Sequence, residues 1–123
     1  MKKKIMIVDD EVNILELVKV ILEQEGFEVI GVSSGKECLD KLKEVKPDLI
    51  LMDMMMPSMS GREVTEKIRK NPKTKNLKVA FLTVARFSEV GMDMLKDLNV
   101  SDYITKPFDN ADLVKRVKKL VGE

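Results

Sequence analysis

Short apolar runs alternate with stretches of helical periodicity five times along these 123 residues, and this alternation constrains the fold more than any other feature. The runs are too short for helices, and each is followed by a segment whose apolar residues recur at helical spacing. The predicted strands cover residues 4–8, 27–32, 48–53, 79–83 and 102–105. Strands joined by helical crossovers lie parallel in one sheet, so the sequence predicts an α/β fold with a mainly parallel sheet covered by helices on both faces.

Capping signals set the limits of the first two predicted helices. The apolar face of the first lies at residues 14, 15, 18, 21 and 22. Gly26 is typical of the residue that follows a helix C-terminus. The second helix begins at Ser33 or Ser34, with Glu37 completing a capping box, and it ends at Pro47. Its apolar face lies at residues 38, 39, 42 and 45.

The remaining helices show similar signals. The third is predicted from Ser60 to about Lys70, with residues 64 and 68 facing inward. For the fourth, Ser88 is the predicted cap and Gly91 weakens helix formation. Asn99 is predicted to adopt the left-handed conformation that ends the helix. Its inward residues are 94, 95 and 98. The last helix begins at residue 109 or 110, and its apolar face lies at residues 113, 114, 117, 120 and 121.

Composition excludes several classes of function. The chain has no His, which excludes a histidine phosphodonor, a His base and a His zinc site, and its single Cys excludes an internal disulfide. A net charge of +1 and few aromatic residues argue against direct DNA binding. No apolar run approaches the roughly 20 residues of a membrane span. We expect one cytoplasmic domain over residues 1–123, with no further domain.

Polar residues end four of the predicted strands. Asp9 and Asp10 follow the first, Asp53 the third, Thr83 closes the fourth, and Lys106 follows the fifth. Ligands of parallel α/β sheets bind outside the carboxyl ends of the strands, so these side chains are expected at one rim. Three neighbouring carboxylates repel each other unless a cation joins them, and all-oxygen ligation suits Mg²⁺. Such a pocket suits a phosphoryl group, with Asp53 as its nucleophile.

Each of these residues also has an ordinary structural interpretation. An Asp after a strand is often a turn former or helix cap. A strand Thr and a Lys before Pro are common without function. The methionines of residues 52–59 are more typical of core packing than of a soft-metal site, and Cys38 is expected to be inert. The conjunction at one rim favours function.

Four motifs together resemble the receiver domain of two-component response regulators, specifically a stand-alone chemotaxis-regulator-like member. The motifs cover residues 7–11, 51–57 with Gly61, 81–83 and 103–108. The resemblance extends from about residue 3 to the last helix. It implies a flavodoxin-like (βα)5 fold with strand order 2-1-3-4-5.

The resemblance also implies roles for the rim residues. Asp53 would accept the phosphoryl group. Asp10, Asp53 and the backbone carbonyl of Met55 would hold Mg²⁺, with Asp9 acting through a water molecule.

Three further residues match positions that respond to phosphorylation. Lys106 would pair with the phosphoryl group, and the Thr83 hydroxyl would move onto it. Tyr103 matches the aromatic switch residue of the family, and the Lys106–Pro107 bond matches one that is cis there.

The partners implied are a sensor histidine kinase or phosphotransfer protein and a downstream protein. The downstream protein would bind the surface of helix four, strand five and helix five. The protein would be a signalling switch rather than an enzyme, a monomer or weak dimer, and independent of membranes.

The chain departs from the family pattern at two positions. Members that dephosphorylate themselves quickly tend to have polar side chains two residues after the phosphoacceptor and two after the switch Thr. Met55 and Ala85 occupy these positions. We therefore expect a long-lived phosphorylated state.

Two other functions fit an acid-rimmed α/β sheet less well. Aspartyl-phosphate hydrolases usually place the nucleophile on the first strand with a second acid two residues later, whereas Asp9 and Asp10 are adjacent. A flavodoxin-like binding module needs a phosphate loop after strand one, where Asp10 and Glu11 would repel an anion.

Overall fold

Five parallel strands form a single sheet in the order β2-β1-β3-β4-β5. This is a computed structural model that describes residues 2–84 and 92–123, and at residues 92–94 it describes the backbone alone. The strands are β1 Lys4–Val8, β2 Glu28–Val32, β3 Leu49–Met52, β4 Val79–Thr83 and β5 Asp102–Thr105. The predicted fold class and strand order are confirmed, and every predicted strand lies within one residue of its observed limits.

Helices follow each strand in the described part of the chain. They are α1 Val12–Gln24, α2 Gly35–Lys41, α3 Gly61–Lys70, α4 Met92–Asp97 and α5 Asn110–Leu120. The predicted extension of the second helix to Pro47 is wrong. After Lys41 the amides of Lys43 and Glu44 bond to carbonyls three residues back, which tightens the chain into turns. No helix within the described ranges is long and apolar enough to cross a membrane.

The side-chain caps follow the sequence signals with one correction. Ser34 caps α2 by accepting a hydrogen bond from the Glu37 amide at 3.1 Å. The Glu37 carboxylate, however, accepts from the Ser33 amide at 3.3 Å, so the reciprocal bond of the predicted capping box goes one residue further back. Ser60 does form a full capping box, with Glu63 at the start of α3. Asp109 caps α5.

The region of the fourth predicted helix is only partly described. Ser88 and Gly91, and the side chain of Met94, lie outside the described residues. Leu98 is buried and Leu95 packs against the core, as predicted. Asn99 has φ 54°, which confirms the left-handed exit from α4.

Strand residues alternate between two cores, one on each face of the sheet. On one face Ile5 and Ile7 lie in the core beneath α1 and α5. On the other face Met6 and Val8 pack with residues of α2 and α3. All five residues of β4 and all four of β3 are buried. With both faces covered, a ligand can reach the sheet only past the ends or edges of its strands, and in such sheets ligands bind outside the carboxyl ends.

Candidate functional site

Two carboxylates are held at the carboxyl ends of adjacent strands by the backbone of the sheet itself. Asp9 follows β1, and its amide donates to the Val32 carbonyl at 3.1 Å. Asp53 follows β3, and its amide donates to the Val8 carbonyl at 2.9 Å. Each acid is therefore the first residue after a strand, and hydrogen bonds to the neighbouring strand fix the position of its backbone.

The three predicted acids meet at this rim. Carboxylate oxygens of Asp9, Asp10 and Asp53 all lie within 4.8 Å of one another. Asp9 and Asp53 are almost fully buried, whereas Asp10 is exposed. The cluster is thus a buried pair of carboxylates with a third at its solvent side.

Lys106 closes the rim from the other end of the chain. Its amide donates to the Thr83 carbonyl at 2.9 Å, which fixes the start of the β5–α5 loop. Its ammonium donates to Asp9 Oδ2 at 2.5 Å and lies 3.5 Å from Asp53 Oδ2. The Lys106–Pro107 peptide bond is cis. The lysine side chain is only 6% exposed, so its charge is directed at the acids and not at solvent.

Burial and neighbouring charges together determine the pKa values of Asp53 and Lys106. Burial raises the pKa of Asp53, and the charge of Asp9 raises it further. The Met55 amide, the charge of Lys106 and a hydrogen bond with Thr83 act in the opposite direction without cancelling this rise in pKa. For Lys106, burial lowers the pKa, but the hydrogen bond to Asp9 and the charges of Asp53, Asp9 and Glu11 outweigh it, and the pKa is raised.

Thr83 and Tyr103 occupy neighbouring strands. Thr83 is fully buried at the end of β4 and hydrogen-bonds Asp53 through its side chain. Tyr103 is partly buried in β5, opposite Phe81 in the strand register. The two rings pack edge to face, with centroids 6.4 Å apart and an interplanar angle of 89°. The site thus contains Thr83 directly, whereas Tyr103 lies along the strand behind the rim.

The turn after β3 shapes the pocket around Asp53. Asp53 Oδ1 accepts a hydrogen bond from the Met55 amide at 3.2 Å. Gly61 closes the turn, and its amide donates to the Met54 carbonyl at 3.0 Å. A Cβ at Gly61 would lie 2.2 Å from the Asp53 carbonyl oxygen, so no other residue fits there without moving the backbone of Asp53.

Sequence reasoning assigned no role to two residues that contribute here. Glu11 Oε1 lies 3.9 Å from Lys106 Nζ, so a fourth carboxylate faces the lysine. Its adjacency to Asp9 and Asp10 was the available signal. Gly61 belongs to the motif that contains Asp53, but the sequence does not show how closely it approaches the Asp53 backbone.

The arrangement is suited to a hard cation and an anionic ligand. Carboxylate and carbonyl oxygens are the donors that Mg²⁺ prefers, and three carboxylates gathered with one ammonium leave an excess of negative charge. The described acids Asp9, Asp10 and Asp53 could therefore hold a metal ion. Such an ion and Lys106 would together offset the charge of a phosphoryl group beside Asp53.

Comparison with known proteins identifies similar chains. The family model described as the response regulator receiver domain matches residues 5–118. The alkaline phosphatase synthesis transcriptional regulatory protein PhoP of Bacillus subtilis is 37% identical over 121 residues. That match covers 98% of this chain and 49% of PhoP, so the chain spans about half the length of this curated relative.

Solved structures resemble the whole fold. The chemotaxis protein CheY4 of Vibrio cholerae superposes with a TM-score of 0.90 at 28% identity, covering 98% of this chain and 99% of CheY4. The response regulator TrrA of Thermotoga maritima, solved in complex with Mg(2+)-BeF, has a TM-score of 0.83 at 39% identity. That match covers 96% of this chain and 98% of TrrA.

Proposed function

Because this chain belongs to the response regulator receiver domain family, we propose that Asp53 is the phosphoacceptor of a two-component signalling switch. The observation that carries the proposal is the contact set of Asp53. Its buried carboxylate lies within 4.8 Å of the carboxylates of Asp9 and Asp10, and Lys106 is 3.5 Å away.

The donor in this proposal is a phosphohistidine, and it lies outside these 123 residues because they contain no His. A carboxylate oxygen of Asp53 attacks the phosphorus atom, the new O–P bond forms, and the P–N bond to the imidazole breaks. The imidazole nitrogen regains a proton, and Asp53 becomes an acyl phosphate. A sensor histidine kinase or a phosphotransfer protein supplies the phosphoryl group.

Lys106 orients and neutralises the phosphoryl group. Its ammonium already spans Asp9 and Asp53, so a phosphoryl group on Asp53 would add oxygen acceptors within its reach. Being buried, the charge is poorly screened by salt, and its attraction for the added anion is correspondingly strong.

Mg²⁺ is the cofactor that fits the remaining donors. Asp10, Asp53 and the backbone carbonyl of Met55 would hold it, with Asp9 bound through water. All are oxygen donors, and the exposed position of Asp10 leaves room for the water ligands that Mg²⁺ retains. When bound, the ion offsets the negative charge that accumulates between the acids and the incoming phosphoryl group.

Phosphorylation is transmitted through Thr83 and Tyr103. The Thr83 side chain now bonds Asp53, and on phosphorylation its hydroxyl would follow the phosphoryl oxygens. Tyr103, on the adjacent strand, would then turn inward. The surface formed by α4, β5 and α5 would change, and a downstream protein would recognise it.

Acetyl phosphate labelling tests this function. Incubation with acetyl phosphate and Mg²⁺ should add one phosphoryl group, and peptide mass spectrometry should locate it on Asp53. Asp53→Asn should abolish the adduct, whereas Asp97→Asn, which changes an exposed Asp, should leave it intact. Sustained phosphate release without an adduct on Asp53 would contradict the proposal and favour a hydrolase.

A further inference from the structure

A cavity of about 550 Å³ lies between the last turns of α2 and α3. Helix α3 begins at Gly61, beside Asp53, and runs ten residues away from it. The cavity lies beside the far end of that helix, roughly 15 Å along its axis from the acid rim. It is therefore separate from the proposed phosphorylation site, and its volume is within the range of ligand pockets.

The rim of this cavity carries an excess of positive charge. Residues 67–78 contain five Lys, one Arg and no acidic residue. Lys67 and Lys73 line the cavity, and Lys43 faces them from the α2 side. Among residues 2–84 and 92–123, no carboxylate lies within ion-pair distance of Lys67, Lys70, Lys73 or Lys75.

The fold itself uses only some of this charge. Arg69 donates to four backbone carbonyls, and Lys78 Nζ donates to the Leu120 carbonyl at 2.7 Å. Lys43 has the exposed Asp40 at 3.6 Å. Lysines in the last turn of α3 complement the helix dipole, but Lys73 and Lys75 lie beyond that turn. A surplus of positive charge therefore remains at this end of a chain whose net charge is only +1.

The lining of the cavity also includes two apolar side chains, beside the polar Asn71 and Thr74. Leu39 and Leu42 line it and are half-buried against the core on that face of the sheet. Their side chains lie in a concave site and not on a protruding surface. An apolar side chain entering the cavity would contact both leucines while its flanking residues met the lysines.

We propose that this cavity, lined by Leu39, Leu42, Lys43, Lys67 and Lys73, is a docking site for an acidic protein segment that inserts a leucine-like side chain. Nucleic acid is a poorer match because residues 67–78 contain no aromatic side chain for base stacking. A lipid surface is a poorer match because the leucines do not protrude. An acidic amphipathic helix matches such a cavity, because its apolar face enters the pocket while its carboxylates meet the basic rim.

A designed peptide provides the test. The probe is a fluorescein-labelled helical peptide with leucines at i, i+3, i+4 and i+7 and glutamates elsewhere, mixed with the unphosphorylated protein. Fluorescence anisotropy measures affinity, and amide chemical shifts locate the site. A second peptide with Gln in place of each Leu keeps the charge and removes the apolar face. A short DNA duplex and phosphatidylserine vesicles are tested alongside.

Two charge-reversal variants separate a specific site from overall charge. Lys67→Glu with Lys73→Glu should weaken peptide binding by about tenfold or more, because two attractive contacts become repulsive. Lys115→Glu with Lys119→Glu makes the same change in net charge on exposed positions of α5 and should leave the affinity within about twofold. The leucine-free peptide should bind more weakly than the probe. The amide chemical-shift changes that the probe causes should be confined to residues 39–43 and 67–75.

Three results would overturn the proposal. The first is equal weakening by both variant pairs, which would indicate attraction to net charge alone. The second is no binding of the probe peptide at its highest soluble concentration. The third is binding of DNA or vesicles, with the same dependence on Lys67 and Lys73, in place of the peptide. None of these results bears on phosphorylation of Asp53, because the assay requires no phosphoryl group.

Discussion

At the residue scale, Asp53 is placed where its own charge is unfavourable. Burial and the neighbouring Asp9 raise its pKa, and the single ammonium of Lys106 is shared between the two acids. A nucleophile needs that charge to be present. Ionising Asp53 in the folded protein therefore costs stability, and a cation bound beside it would lower that cost.

Replacing Asp53 should consequently stabilise the metal-free protein. A carboxyl group whose pKa is higher in the folded state than in the unfolded state destabilises the fold above the folded pKa. The penalty vanishes below the unfolded pKa. In EDTA at neutral pH, Asp53→Asn should raise Tm by about 4 °C, on the order of 1 kcal/mol, and the difference should disappear at strongly acidic pH. Thermal unfolding followed by circular dichroism measures both.

The matched control for this prediction is Asp97→Asn, at an exposed position on α4, which should leave Tm unchanged. If Asp53→Asn were less stable than the parent protein at neutral pH, burial of the charge would not be the dominant effect.

The side chain of Met55 affects how long a phosphoryl group on Asp53 should persist. Its side chain is 61% exposed beside the site, and it has no group that can orient or deprotonate a water molecule. The acyl phosphate should therefore be long-lived. Met55→Glu should shorten its lifetime by at least about tenfold, as expected of a newly supplied general base. Decay is followed after acetyl phosphate is removed. A lifetime of seconds in the parent chain would contradict this prediction, whose other position, Ala85, lies outside the described residues.

At the element scale, the turn from β3 into α3 sets the position of the phosphoacceptor. Gly61 lies against the Asp53 carbonyl, and the capping box of Ser60 and Glu63 begins the helix immediately beside it. The end of β3, the turn and the start of α3 are thus held together within the ten residues 52–61.

Gly61→Ala should disturb this turn. Its Cβ would lie 2.2 Å from the Asp53 carbonyl oxygen and 2.9 Å from Met52 Cγ, and the backbone must shift to relieve the overlap. We expect a loss of about 1–3 kcal/mol in the free energy of unfolding and slower acetyl phosphate labelling. Gly31→Ala is the control, because its Cβ would meet Leu15 and Ile7 at ordinary contact distances of 3.8 and 4.0 Å. Equal behaviour of the two variants would count against the steric explanation.

Arg69, near the end of α3, hydrogen-bonds the segments that follow α4 and precede β4. From α3 its guanidinium donates to the carbonyl of Leu98 at 2.7 Å, just after α4, and to that of Leu77 at 2.6 Å, before β4. It also reaches the carbonyls of Lys75 and Asn99. These carbonyls surround a charge that burial makes costly, and burial lowers the pKa of Arg69. The cation stabilises the C-terminal end of α4, where the helix dipole is negative.

Arg69→Ala should release that end of α4. Leaving four carbonyls without their donor should cost about 2 kcal/mol, and amide hydrogen exchange should accelerate most around residues 98–101. Arg69→Lys should recover little, because one ammonium cannot reproduce the planar fork. The control is Arg62→Ala, since Arg62 is 58% exposed and pairs with Glu66 on the same helix. Uniform acceleration over all elements would argue against a local anchor.

At the scale of the whole molecule, charge is unevenly distributed although the total is close to zero. Asp9, Asp10, Glu11 and Asp53 gather at the carboxyl ends of the strands, whereas residues 67–78, at the opposite end of α3, form a basic segment. One end is thereby suited to a divalent cation and the other to an acidic partner.

Metal binding at the acidic end should stabilise the entire domain. A ligand that binds only the folded state adds about 2.7 kcal/mol when present at 100 times its Kd, so Tm should rise with Mg²⁺ and fall again with EDTA. Asp10→Asn should remove most of the rise with little effect on the metal-free Tm, because Asp10 is exposed. Asp40→Asn, an exposed acid on α2, should leave the rise intact. A Tm indifferent to Mg²⁺ would contradict the metal site.

The sequence by itself determined the fold class, all five strands to within a residue and the cap of α3, and it narrowed the cap of α5 to residue 109 or 110. These features depend on the periodicity of apolar residues and on capping residues a few positions apart. Both can be seen in a short segment of the sequence without knowing the fold. It also placed Asp9, Asp10, Asp53, Thr83 and Lys106 at one rim, because parallel strands bring their carboxyl ends to the same edge. The resemblance to a family added the strand order, which periodicity cannot supply.

Only the tertiary structure decided how those residues meet. The choice of Asp9 over Asp53 as the nearer partner of Lys106, the contact of Gly61 with the Asp53 carbonyl and the four carbonyls around Arg69 depend on distances of a few ångströms between segments distant in sequence. The cavity between α2 and α3 likewise requires that two helices lie side by side, which the sequence does not show. Residue types record what a side chain can bind, whereas the folded backbone decides which groups come within its reach.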